Sequence, residues 1–81
     1  MSTKDRVRQF IVTNFYVADP ASLRDDTSFL ERGIIDSTGV LEVVGFLESE
    51  LGVTVADDEL LPQNLDSLDA IDAFVARKRG A

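Results

Sequence analysis

Apolar residues recur at helical spacing in three stretches parted by strong breakers, and no other feature limits the possible folds so tightly. In the first stretch Val7, Phe10 and Ile11 fall at i, i+3 and i+4, and Phe15 continues the stripe. Ser2 and Thr3 can cap this helix, with Asp5 in its first turn. Asp19-Pro20 ends it, because the residue before a proline avoids the helical region. A second helix is expected from Ser37 to about Leu51. Val40, Val43, Val44, Leu47 and Leu51 form its apolar stripe, Glu42, Ser49 and Glu50 lie on its polar side, and Gly52 stops it. Gly39 and Gly45 each cost about 1 kcal/mol relative to alanine inside a helix, so packing must offset them or close approach must require them. The last helix is expected from about Ser67 to Arg79, capped by Asp66 or Ser67, with Leu68, Ile71, Phe74 and Val75 facing the core.

Two segments lie between these helices. A connection from about Ala18 to Asp36 is long for so small a chain, and loops of that length are usually functional. Leu23, Phe29, Leu30, Ile34 and Ile35 can tuck under it, Gly33 can supply a backbone conformation other residues resist, and Asp26-Thr27-Ser28 resembles the cap of a single helical turn. Further on, Val53-Thr54-Val55 alternates like a strand but has no partner in view. Ala56 to Leu61 reads as a short third helix, opened by Asp57, Asp58 and Glu59 and stopped at Pro62. The expectation is therefore an all-α, up-and-down four-helix bundle, with three main helices, one short helix and a long first loop. The 81 residues suit a single domain, 1–81, whose core is modest.

Composition removes many functions. There is no cysteine and no histidine, which excludes disulfides, thiolate or imidazole metal sites, and Ser-His-Asp or Cys-His catalysis. Met1 is followed by polar residues, so no signal peptide is expected, and no apolar run approaches the roughly 18 residues that span a bilayer. A cytoplasmic protein fits these features. The net charge of −7 is unevenly spread. Between Gly33 and Ala76 there are ten acids and neither lysine nor arginine; the bases gather near the two ends. Such a middle repels nucleic acid and would attract proteins carrying a basic patch, although a solvated surface explains it equally well. Arg77, Lys78 and Arg79 sit where a helix dipole favours cations and need no binding role.

The segment most informative about chemistry is Gly33-Ile34-Ile35-Asp36-Ser37-Thr38-Gly39, in which an apolar pair leads into Asp-Ser and a helix start. Asp36 or Ser37 could be an ordinary N-cap. Taken with the whole chain, the segment resembles the acyl carrier protein family, including peptidyl and aryl carriers, which share a Gly-φ-φ-Asp-Ser-φ signature (φ apolar) before the second helix. Asp26-Thr27-Ser28-Phe29-Leu30-Glu31, Leu51-Gly52-Val53-Thr54-Val55, Asp57-Asp58-Glu59-Leu60 and Asn64-Leu65-Asp66-Ser67-Leu68 with Ile71 and Phe74-Val75 resemble successive parts of the same pattern, so the likeness covers nearly the whole chain.

The resemblance implies a non-catalytic carrier. A phosphopantetheinyl transferase would move a 4′-phosphopantetheine arm from coenzyme A onto Ser37, and acyl or aminoacyl intermediates would ride on the arm as thioesters. Asp36 would position the site and assist the transferase. Thr38, Leu41, Glu42 and Glu48 would meet partners: an acyl- or aminoacyl-activating ligase and downstream synthase enzymes with basic docking patches, in fatty acid, polyketide or nonribosomal-peptide-type pathways. The protein would be a monomer. Thr38 stands where leucine or methionine is most common, Gly39 where fatty acid carriers often have aspartate, and Gly45 where a larger apolar residue is common. Asp-Ser-x-Gly resembles stand-alone carriers of the D-alanyl or aminoacyl type. The rival reading is an acidic helical adaptor that is never modified.

Overall fold

The computed structural model of the protein describes residues 2–80. Among them there are four α-helices, α1 Thr3–Asn14, α2 Gly39–Glu50, α3 Pro62–Leu65 and α4 Leu68–Lys78, with single 3₁₀ turns at Pro20–Ser22 and Asp57–Glu59 and no strand. The bundle expected from the periodicity is the fold observed.

Helix α1 begins with a reciprocal cap. The Asp5 N–H donates to Ser2 Oγ at 3.1 Å and the Ser2 N–H donates to Asp5 Oδ2 at 3.3 Å, which satisfies two donors that a helix start leaves open. Val7 and Ile11 are fully buried. Helix α2 runs back along α1. Arg6 Nη2 reaches the Glu50 carbonyl at 3.4 Å, the Phe10 and Phe46 rings stack 4.3 Å apart, and Phe15 lies against Gly39, so the pairs 6/50, 10/46 and 15/39 describe two antiparallel helices. Val43, Leu47 and Leu51 enter the core, while Val40 and Val44 are half-buried at its edge. Beyond α2, Gly52 takes φ 67°, a region open to glycine, and the Val53 N–H returns to the Leu47 carbonyl at 3.1 Å.

The remaining core comes from Leu65 of α3, from α4 and from the loops. Leu68, Ile71, Phe74 and Val75 are buried, and Ser67 caps α4 by accepting the Ala70 N–H at 3.0 Å. Of the loop residues expected to tuck inward, Leu23, Phe29 and Ile35 are buried and Ile34 is half-buried. Leu30 departs from that expectation and is 46% exposed. Ser28 caps the turn that follows it, accepting the Glu31 N–H at 3.2 Å, and Gly33 closes that turn at φ 68°.

Two helix boundaries differ from the sequence reading. Helix α2 begins at Gly39, not Ser37, because Ser37 and Thr38 form a turn that leads into it. The short third helix expected over Ala56–Leu61 is only the 3₁₀ turn Asp57–Glu59. Pro62 does not stop a helix but opens α3, at the first position, where its missing N–H costs nothing.

Candidate functional site

Asp36 builds the start of α2. Its carbonyl accepts the Val40 N–H at 3.1 Å, and its Oδ1 accepts the Gly39 N–H at 2.7 Å. By these bonds Asp36 caps the turn of Ser37 and Thr38 that leads into α2. Ser37 is exposed, and its hydroxyl makes no hydrogen bond among the described residues. The Ser37 and Thr38 N–H groups likewise meet no acceptor there, the usual condition of a first turn.

The Ser37 turn stands at the mouth of an apolar groove of about 250 Å³. One wall is α2 and the end of the long loop, with Leu41 and Leu30; the other is the α3 region, with Leu61, Pro62 and Leu65. Leu30, Leu41 and Leu61 are three of the four large apolar side chains exposed among the described residues, at 46%, 62% and 41%. Their gathering around one serine separates the groove from scattered surface leucines, which carry no message.

The two walls are held together at Asp66. Its Oδ1 accepts the Leu30 N–H at 2.9 Å, its Oδ2 accepts the Ser28 hydroxyl, and its carbonyl accepts the Phe29 N–H at 2.9 Å. A further bond, from the Asp69 N–H to the Asp25 carbonyl at 2.9 Å, fixes the loop to the start of α4.

The charges are divided between elements. Lys4 pairs with Asp69 at 2.7 Å and with Asp25 at 3.4 Å, Arg8 pairs with Asp25 at 3.2 Å, and Lys78 pairs with Glu59 at 2.9 Å. The Arg8 hydrogen bond, helped by Lys4, holds the Asp25 carboxyl below its ordinary range. The Ala56 N–H, helped by Lys78, does the same for Glu59, and the Asp69 bond raises Lys4. Arg77 donates to Asn64 Oδ1 at 2.9 Å and Arg79 to the Leu51 carbonyl at 2.7 Å, so the basic tail braces α3 and the end of α2. Among the described residues, no acid of α2 enters an ion pair. Glu42 is exposed, and Glu48, also exposed, accepts the Val55 N–H at 3.1 Å.

No family model matches the chain. Over 67 residues, covering 83% of this chain and 77% of its relative, it is 30% identical to the probable acyl carrier protein PigG of Serratia sp. (strain ATCC 39006). The chain belongs to the acyl carrier protein family.

In this acyl carrier protein, the residues singled out in the sequence gather at the start of α2, except Glu48, which lies near its far end. Asp36, Ser37 and Thr38 form the turn, Thr38 is exposed with its carbonyl accepting the Leu41 N–H at 3.1 Å, and Leu41 and Glu42 follow on the outer side of α2. Glu48 lies two turns further along the same side as Leu41. Sequence reasoning missed the far wall of the groove. Leu61-Pro62 looked like a helix stop, and nothing in its local pattern marks it as facing Ser37. It also missed Asp66 as the tie between the walls, since in sequence Asp66 offered itself only as a cap for α4.

Proposed function

We propose that this acyl carrier protein carries acyl or aminoacyl groups on a 4′-phosphopantetheine arm attached to Ser37. The observation that carries the reading is the coincidence, at one residue, of an exposed and unengaged hydroxyl, a capped helix start and the mouth of an apolar groove. When bound, the arm supplies a terminal thiol, on which cargo is held as a thioester; the chain itself has no sulfur nucleophile.

The residues around Ser37 suit a phosphodiester there. The Ser37 and Thr38 N–H groups are free to donate to an anion, and the start of α2 carries the positive end of the helix dipole. Asp36 holds the turn through Gly39 and leaves the hydroxyl accessible to a transferase. Leu30, Leu41 and Leu61 offer apolar contact to whatever extends from the serine.

Partners meet this protein along α2. Leu41, 62% exposed, gives an apolar contact, and Glu42 and Glu48 give negative charge that no ion pair among the described residues neutralises. A ligase or synthase with a basic patch fits such a surface, and the charge speeds encounter more than it tightens the complex. The role is that of a non-catalytic carrier in a biosynthetic pathway.

Intact mass after incubation with coenzyme A and a broad-specificity phosphopantetheinyl transferase tests the reading. One arm is gained, peptide mapping locates it on Ser37, and Ser37→Ala gains none. An adduct on another hydroxyl refutes the assignment to Ser37, and no adduct on a folded wild-type protein refutes the reading and leaves the unmodified adaptor in its place.

A further inference from the structure

Gly39 is buried, although it stands in the first turn of a surface helix. A β-carbon there would lie 2.9 Å from Phe15 Cε1, 3.1 Å from Ile35 Cγ2 and 3.3 Å from Asp36 Oδ1, the oxygen that accepts the Gly39 N–H. The first distance is shorter than packed carbons tolerate. Phe15 is poorly placed to yield, because it packs edge-on against Phe10 with ring centroids 6.1 Å apart, and Phe10 is itself stacked on Phe46. Ile35 is buried and equally confined. Gly45, in the same helix, would meet nothing within 4 Å, so the crowding belongs to the Ser37 turn and not to α2 as a whole.

We infer that Gly39 is a positioning residue for Ser37: its missing side chain lets the Asp36-capped turn seat against Phe15, and that seat fixes where the serine hydroxyl is presented. The inference rests on the reading of Ser37 as the attachment site. A methyl group at position 39 pushes the turn away from the end of α1 and strains the bond between Asp36 Oδ1 and the residue 39 N–H. Ser37 moves with the turn, because only one residue separates it from Gly39.

The test measures transfer of the arm from coenzyme A to Gly39→Ala, Phe15→Ala and the double variant, at a temperature where each is folded by circular dichroism. Gly39→Ala loses roughly tenfold or more in kcat/KM, within the range that an ångström of misplacement can produce. Removing the ring restores the double variant to the rate of Phe15→Ala alone, a rescue that a general loss of stability would not give. A folded Gly39→Ala modified at the wild-type rate overturns the inference and leaves the Ser37 reading standing, whereas a wild-type protein never modified at Ser37 removes both. If Gly39→Ala does not fold, the double variant decides. Folding and modification at the Phe15→Ala rate uphold the seat, and failure of either with the ring gone overturns it.

Discussion

Leu30 donates its backbone N–H to Asp66 Oδ1 across 2.9 Å, and through that contact the long loop is joined to the corner between α3 and α4. The same carboxylate accepts the Ser28 hydroxyl, so one side chain holds both walls of the groove in register. Asp66→Ala removes both acceptors and is expected to lower stability by about 1–3 kcal/mol, the usual cost of leaving such donors unpaired. Urea unfolding measures the loss, and amide exchange locates it at Leu30. An exchange rate at Leu30 unchanged from wild type would show that the tie is unimportant.

Asp36 gives the start of α2 its only side-chain cap among the described residues. Asp36→Ala is expected to cost about 0.5–2 kcal/mol and to slow modification of Ser37. Asp36→Asn keeps an acceptor oxygen, and its melting curve stays near that of wild type. Equal melting of the alanine and asparagine variants would mean that the carboxylate does not act as a cap.

Leu41 and Leu47 lie on one helix and answer to different demands. Leu47 is fully buried, and Leu47→Ala is expected to cost about 2–5 kcal/mol. Leu41→Ala changes stability by less than about 0.5 kcal/mol, yet weakens binding to a cognate enzyme, as does Glu42→Lys, whose effect shrinks as salt is added. Titration against that enzyme at two salt concentrations checks both. A Leu41 variant that binds normally removes α2 as the docking side.

Gly39 and Gly45 provide a matched comparison of stability. Open space surrounds Gly45, so Gly45→Ala is expected to stabilise by about 0.4–1 kcal/mol through the unfolded chain. Gly39→Ala gains nothing, because the contact with Phe15 opposes it. Thermal melts of the two variants decide, and similar gains would deny the crowding.

Asp25 and Glu59 are held below their ordinary values of 3.8 and 4.5, chiefly by the Arg8 bond and the Ala56 N–H respectively. The unfolded chain therefore binds these protons more readily. Their contribution is present above the ordinary values and fades as pH falls through them toward the lower native ones. Lys4 is raised above 10.5, chiefly by Asp69, so its contribution is full below that pH and is lost as pH rises through the raised value. Urea midpoints are expected to fall at both extremes. In Asp25→Asn/Glu59→Gln the acid limb flattens, and an unaltered acid limb would show that other carboxyls govern it.

Much of this was legible in the chain. The stripes Val7, Phe10, Ile11 and Val43, Leu47, Leu51 carry a helical period strong enough to place α1 and α2. Ser2, Ser67 and Gly52 mark ends because capping is local chemistry. Asp36-Ser37 was visible for the same reason. What stayed hidden depends on contacts distant in sequence. Leu61 and Pro62 face Ser37 only because the α3 region folds across from α2. Leu30 resembled a core residue because hydrophobicity alone does not say which face is covered. Sequence sets the start of α2 two residues early because Asp36-Ser37 reads as a helix cap, and periodicity does not register that Ser37 and Thr38 form a turn ahead of Gly39.

The cations that hold Asp25, Asp69 and Glu59 belong to α1 and α4, whereas Glu42 and Glu48, which enter no ion pair among the described residues, belong to α2. With α2 as the docking side proposed above, foldedness and recognition are written in largely separate sets of residues, Glu48 sharing in both through the Val55 N–H. On that proposal, a lineage of such chains can exchange one enzyme for another by redrawing the outer side of a single helix, with few of the contacts that keep the molecule intact renegotiated.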